Sequence, residues 1–108
     1  MKILITGASS TLGKNLTAKL LKTKQFSIRL LEHRSPVCRE NCEIFVGDLQ
    51  VINSLDKACS EVDTVVHLAA LTHSSSGKEY FEVNEEGTKN LIAACKKNNV
   101  RRFIFVSS

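Results

Sequence analysis

Five short apolar runs recur along this chain, and most are separated by stretches whose apolar residues repeat with helical spacing. The runs are Lys2–Thr6, Ser27–Glu32, Glu43–Val46, Asp63–Leu68 and Arg102–Val106. Between them, Leu12, Leu16 and Leu20 repeat every four residues over Thr11–Lys22. Ile52, Leu55 and Cys59 share one side of Val51–Cys59, and Thr88, Leu91, Ile92 and Cys95 share a face of Tyr80–Asn98. Polar loops are expected around Ser35-Pro36 and over residues 72–78. Short strands alternating with helices predict a parallel sheet covered on both faces. Right-handed crossovers leave few topologies, and a doubly wound α/β sheet in strand order 3-2-1-4-5 fits best. Residues 1–108 read as one domain, without internal repeat or low-complexity segment.

Composition narrows the class further. The 108 residues are 43% hydrophobic and 24% charged, with one Pro and five Gly, which excludes collagen-like and linker chains. Fifteen Lys and Arg against eleven Asp and Glu give a net charge of +4. The basic residues are scattered, and no nucleic-acid-binding pattern accompanies them, so no nucleic-acid partner is expected. Lys96 and Lys97 suit the negative end of a helix dipole. No apolar run reaches the roughly 18–20 residues that span a bilayer, so no membrane partner is expected. The start of the chain reads as a strand and not as a signal peptide. Cys38, Cys42, Cys59 and Cys95 contain no C-x-x-C pair. Cys59 and Cys95 fall on apolar helix positions and read as small core residues. No metal site and a reducing, cytoplasmic setting are expected.

The stretch richest in chemistry is Thr6-Gly7-Ala8-Ser9-Ser10-Thr11-Leu12-Gly13, between the first strand and the first helix. Open parallel sheets bind ligands at the carboxyl ends of their strands, and this loop sits at such an end. A helix beginning near Ser10–Leu12 offers unpaired backbone N–H groups and a positive dipole end, which together attract phosphate. Gly7 permits a tight turn with positive φ. Gly13, inside the first helical turn, suggests close packing of helix on strand, as the last glycine of the dinucleotide fingerprint does. The fingerprint's central glycine is replaced by Ser10, whose Cβ narrows the approach of a diphosphate while its hydroxyl offers a hydrogen bond. A P-loop fits worse, because five residues separate Gly7 from Gly13 and Asn15 replaces the Mg²⁺-binding Ser or Thr. A phosphoryl-receiver domain lacks its acidic cluster near Thr6, with Asp48 the one carboxylate that would fit.

Three further stretches follow in order: Gly47-Asp48-Leu49, then Val66-His67-Leu68-Ala69-Ala70, then Val83-Asn84-Glu85-Glu86-Gly87-Thr88 leading into Arg102-Phe103-Ile104-Phe105-Val106-Ser107-Ser108. Together with the glycine loop they resemble the N-terminal part of the extended short-chain dehydrogenase/reductases, the NAD-dependent nucleotide-sugar epimerases and dehydratases. The resemblance implies an NAD(P)-binding Rossmann fold. Gly7, Ser9, Ser10, Thr11, Leu12 and Gly13 would hold the diphosphate. Asp48 would accept from the adenine amino group with the Leu49 backbone beside it, or cap the helix over 51–59. Leu68, Ala69 and Ala70 would let the backbone approach ribose and phosphate, or simply pack. Asn84 would contact the cofactor or serve as an early-turn polar residue. Glu32 stands where an acidic side chain bonds the ribose hydroxyls of NAD, and Arg34 where a base would meet the 2′-phosphate of NADP. NAD is expected, with NADP the alternative, and His33 is a further candidate contact. His67 reads as a buried, hydrogen-bonded histidine and not as a base.

In that family a Tyr with a Lys four residues later removes a hydroxyl proton, helped by a Ser or Thr after the fifth strand. Ser108 matches the Ser. Tyr80, the single tyrosine, has Asn84 four residues on and lies on the wrong element. The expectation is therefore an incomplete NAD(P)-binding domain, truncated after the fifth strand and inactive alone. Its parent would be an epimerase/dehydratase-like oxidoreductase acting on a nucleotide sugar or related small molecule, and a homodimer. The alternative is a non-catalytic NAD(P)-binding sensor or regulatory domain of the atypical short-chain dehydrogenase type; an α/β domain that binds no nucleotide is the third reading. An exposed sheet edge is expected to favour self-association.

Overall fold

The computed structural model describes residues 1–33, 37, 40–69 and 77–107. Its elements run β1 (Lys2–Thr6), α1 (Thr11–Thr23), β2 (Ser27–Glu32), β3 (Glu43–Val46), α2 (Ile52–Ala58), β4 (Thr64–Ala69), α3 (Gly77–Lys97) and β5 (Arg102–Ser107). The five strands form one sheet in the order β3-β2-β1-β4-β5, every pair parallel. β1 is central, with Ile5 beside Leu30 of β2 and Val66 of β4. This is the doubly wound α/β sheet expected from the alternation.

Both faces of the inner strands are buried, which is why they read as mostly apolar runs, with Arg29 and His67 as buried polar exceptions. On one face Leu4, Leu31 and Val65 pack with Leu55, Ala58 and Cys59 of the α2 region and Leu91, Ala94 and Cys95 of α3. On the other, Ile3, Ile5, Ile28, Leu30, Val66 and Leu68 pack with Leu16 and Leu20 of α1. Cys59 and Cys95 are free thiols in the first core, as their apolar positions suggested. The hydrogen bond with the neighbouring Cys95 thiol pushes the Cys59 thiol well above its ordinary range, with burial adding to the effect.

Several expectations need correction. In the α1 stripe Leu12 is 46% exposed, while Leu16 and Leu20 pack against the core. In α2 Ile52 is likewise exposed, while Leu55, Ala58 and Cys59 are in the core. α3 begins at Gly77, so residues 77 and 78 of the expected loop are helical; residues 72–76 of it lie outside the described residues. β4 starts at Thr64, because Asp63 is used as a brace: its Oδ2 accepts from Lys2 N–H at 2.8 Å and its carbonyl accepts from Arg101 and Arg102.

The amino ends of the strands carry a second brace. Arg29 of β2 is buried, and its Nη1 donates to the carbonyls of Ala58 at 2.6 Å and Ser60 at 2.9 Å. Its Nε pairs with the Glu43 carboxylate, and its guanidinium lies 5.3 Å from the Phe45 ring centroid. The C-terminal carbonyls of a helix lack intrahelical donors, and Arg29 supplies them for α2. The same contact holds the Glu43 carboxyl below its ordinary value.

Candidate functional site

At the carboxyl ends of the strands the chain turns sharply from β1 into α1. Gly7 has φ +72°, and a Cβ there would collide with the Leu68 carbonyl of β4. A Cβ on Gly13 would stand 2.5 Å from the Gly7 carbonyl oxygen and 2.7 Å from Ala8 Cα. The two glycines therefore let turn, helix and β4 close on one another. Ser10 is the helix N-cap: its hydroxyl donates to the Gly7 carbonyl at 2.8 Å and accepts from Gly13 N–H at 3.0 Å. Its own N–H also bonds the Gly7 carbonyl. The Ser10 side chain is thus spent inside the turn, where it folds the loop, and is not turned toward a ligand. Among the described residues no group accepts from Thr11 or Leu12 N–H. Those two donors and the dipole of a 13-residue helix face out of the corner.

A second corner forms where β3 meets α2. Asp48 Oδ1 accepts from Gln50 N–H at 2.8 Å, an Asx turn, and Oδ2 lies 3.2 Å from His33 Nε2 at the end of β2. Asp48 is not the helix cap, a place taken by Val51, which makes no side-chain cap bond. Backbone N–H groups around it are used: Gly47 on the Glu32 carbonyl, Asp48 on Ser54 Oγ, Gln50 on Asp48, Val51 on the Asp48 carbonyl. Leu49 N–H is the exception, with no acceptor among the described residues. A carboxylate acceptor and an unspent donor therefore stand on adjacent residues. Two side chains that sequence reasoning passed over brace this corner. Ser54 Oγ accepts from Asp48 N–H at 3.1 Å, and Asn90 of α3 donates to the Leu49 carbonyl at 2.8 Å. Gly87 lets α3 come this close; a Cβ on it would stand 3.0 Å from Leu49 Cβ.

Glu32 ends β2 between the two corners, and its Oε1 accepts from Val37 N–H at 3.3 Å. Leu68 is buried beside Gly7, and Ala69 closes β4. Ser9 lies in the glycine turn, and Asn84 falls in the first half of α3, its side chain outside the described part. Arg34, Ala70 and Ser108 lie outside the described residues. His67 is buried on β4, with Nδ1 on Thr6 Oγ1 at 2.5 Å and Nε2 on Thr88 Oγ1 at 3.0 Å. Phe103 and Phe105 flank the ring. Burial brings its pKa down to about 4. With both nitrogens paired it stitches β1, β4 and α3, as the reading of a hydrogen-bonded core histidine anticipated. Among the described residues no group of three or more His, Cys, Asp or Glu converges to hold a metal, and no helix is long and apolar enough to cross a membrane.

A 3-2-1-4-5 parallel sheet with a glycine turn at the end of β1 defines the class of doubly wound, Rossmann-like α/β domains. Within that class, the chain belongs to the NAD dependent epimerase/dehydratase family, whose model matches residues 3–108. It is 37% identical over 109 residues to the N-acetyl-alpha-D-glucosaminyl-diphospho-ditrans,octacis-undecaprenol 4-epimerase of Escherichia coli, covering 98% of this chain and 32% of that protein. It is 32% identical over 105 residues to human sterol-4-alpha-carboxylate 3-dehydrogenase, decarboxylating, covering 96% of this chain and 28% of the relative. Among solved structures, a short-chain dehydrogenase/reductase superfamily protein from Agrobacterium tumefaciens with bound NAD superposes with TM-score 0.83 at 33% identity, over 100% of this chain and 33% of that one. The chain thus spans about a third of the length of each of these three proteins.

Proposed function

We propose that this chain is the NAD-binding part of an epimerase/dehydratase-like oxidoreductase whose substrate is a nucleotide sugar or a related small molecule. One observation carries the reading. Along the carboxyl edge of the sheet, the backbone N–H groups of Thr11, Leu12 and Leu49 have no acceptor among the described residues, and Asp48 keeps acceptor capacity. The residues fit the dinucleotide. Its diphosphate suits the glycine turn and the amides of Thr11 and Leu12, which no Cβ at Gly7 or Gly13 obstructs. The adenine edge presents an amino donor beside a ring-nitrogen acceptor, matching Asp48 and Leu49 N–H. Glu32, at the end of β2, favours ribose hydroxyls and repels a 2′-phosphate, so NAD is preferred over NADP.

Bound there, NAD would supply a hydride acceptor for a substrate alcohol. The family's Tyr and Lys pair does not occur within these 108 residues, since Tyr80 is followed four positions later by Asn84. We therefore expect the chain alone to bind cofactor without turnover, with Ser108, Ala69, Ala70 and Asn84 contributing to the site in the parent enzyme. A cytoplasmic setting goes with this reading.

The test is a titration of NAD and NADP against the wild type, Glu32→Ala and Asp48→Ala. NAD should bind more tightly than NADP, both variants should lose NAD affinity, and Glu32→Ala should narrow the preference. Equal binding by all three proteins would remove Glu32 and Asp48 from the site.

A further inference from the structure

The Leu49 donor is held in place from two sides, by residues that touch no ligand in this reading. Asp48 N–H donates to Ser54 Oγ at 3.1 Å, and the Ser54 hydroxyl lies within donating distance of the carbonyls of Val51, at 2.7 Å, and Asp48, at 3.1 Å. The Asp48 carbonyl also accepts from Val51 N–H at 2.9 Å. That carbonyl is therefore turned into the first turn of α2. Across a trans peptide the following N–H points the opposite way, so Leu49 N–H is aimed away from α2. The next peptide is fixed from the other side, because Asn90 Nδ2 takes the Leu49 carbonyl at 2.8 Å. Both peptides flanking Leu49 are thus clamped, one by α2 and one by α3, and the close approach at Gly87 is what brings α3 within reach.

From this we infer that Ser54 and Asn90 are positioning residues for base selection: they set the donor–acceptor order that reads adenine at the cofactor's far end. The inference rests on the dinucleotide reading above. It has a consequence that a merely structural role would not have. Hypoxanthine carries a carbonyl where adenine has its amino group and an N–H where adenine has a bare ring nitrogen, so it reverses both hydrogen-bond senses. A fixed Asp48–Leu49 pair must reject it, and a loosened turn must not.

The experiment titrates NAD and nicotinamide hypoxanthine dinucleotide against the intact protein and its Ser54→Ala, Ser54→Thr and Asn90→Ala variants, with circular dichroism reporting that each is folded. The wild type should prefer the adenine form by at least about fivefold, the scale of one well-made base contact. Ser54→Ala and Asn90→Ala should each weaken NAD by about three- to tenfold, the scale of one hydrogen bond, while leaving the hypoxanthine form nearly unchanged. Ser54→Thr, which keeps the hydroxyl, should restore the preference. Equal weakening of both dinucleotides, or an intact preference in folded Ser54→Ala and Asn90→Ala, would overturn the positioning role and leave the dinucleotide site standing. A wild type that binds neither compound would overturn the underlying reading, and this inference with it.

Discussion

The two ends of the sheet spend their polar groups differently. At the amino ends of the strands, Asp63 joins β1 to the start of β5, and Arg29 satisfies the last carbonyls of α2 while pairing with Glu43. At the carboxyl ends, Ser10, Asp48 and Ser54 bind their own loops, and Thr11, Leu12 and Leu49 N–H have no acceptors among the described residues. An unmade backbone hydrogen bond is costly where water is excluded. The carboxyl edge bears that cost only where a ligand or solvent can reach. The comparison teaches that one end of the domain is built for cohesion and the other for capture, and that the glycines cluster where capture needs close backbone approach.

The sharpest way to break this division is at Arg29. Replacing it with Met removes the donors from the α2 carbonyls and should cost about 3–4 kcal/mol of stability, because buried acceptors are left unpaired. Dinucleotide affinity per folded molecule should stay within about twofold, since distant sites with no shared partner act independently. Denaturant unfolding beside a binding titration measures both, and a large loss of affinity in folded Arg29→Met would blur the two roles.

A smaller effect concerns His67, which lies between the ends. Its pKa falls from 6.5 to about 4 on burial, so the unfolded chain binds its proton first as pH drops. Stability is then fully present above about pH 6.5 and declines as pH falls toward 4, by about 2–3 kcal/mol in all. His67→Phe, which keeps an aromatic ring against Phe103 and Phe105, should flatten that slope between pH 6.5 and 5. Glu43, whose depressed pKa removes stability only below its ordinary value of 4.5, should still act in the variant. An unchanged slope in His67→Phe would show that the histidine is not the buried neutral link.

Much of the fold was legible because a strand buried on both faces can only be apolar, and because Leu16, Leu20, Leu55 and Leu91 mark the inner stripes of their helices. Periodicity could not say where a stripe leaves the core: Leu12 and Ile52 share the spacing of the packed residues and are exposed. The glycine turn and the Asp48–Leu49 corner were legible as motifs. The internal use of the Ser10 hydroxyl was not, since a serine in a phosphate loop and a serine capping a helix look alike in sequence. Arg29, Ser54 and Asn90 were invisible for another reason. Arg29 reaches carbonyls about thirty residues away, and Asn90 a carbonyl 41 residues away, which no local pattern encodes. Ser54 sits within one short helix among other polar residues, and only the turn's geometry gives it a role.

The central claim is that unspent amides at one edge of the sheet receive a dinucleotide. Amide-resolved NMR with added NAD tests it directly. The account predicts that the Thr11, Leu12 and Leu49 signals move on saturation, while those of Arg29 and Asp63 at the opposite end stay in place. Still signals for all three edge amides at saturating NAD, or movement confined to the opposite end, would contradict it.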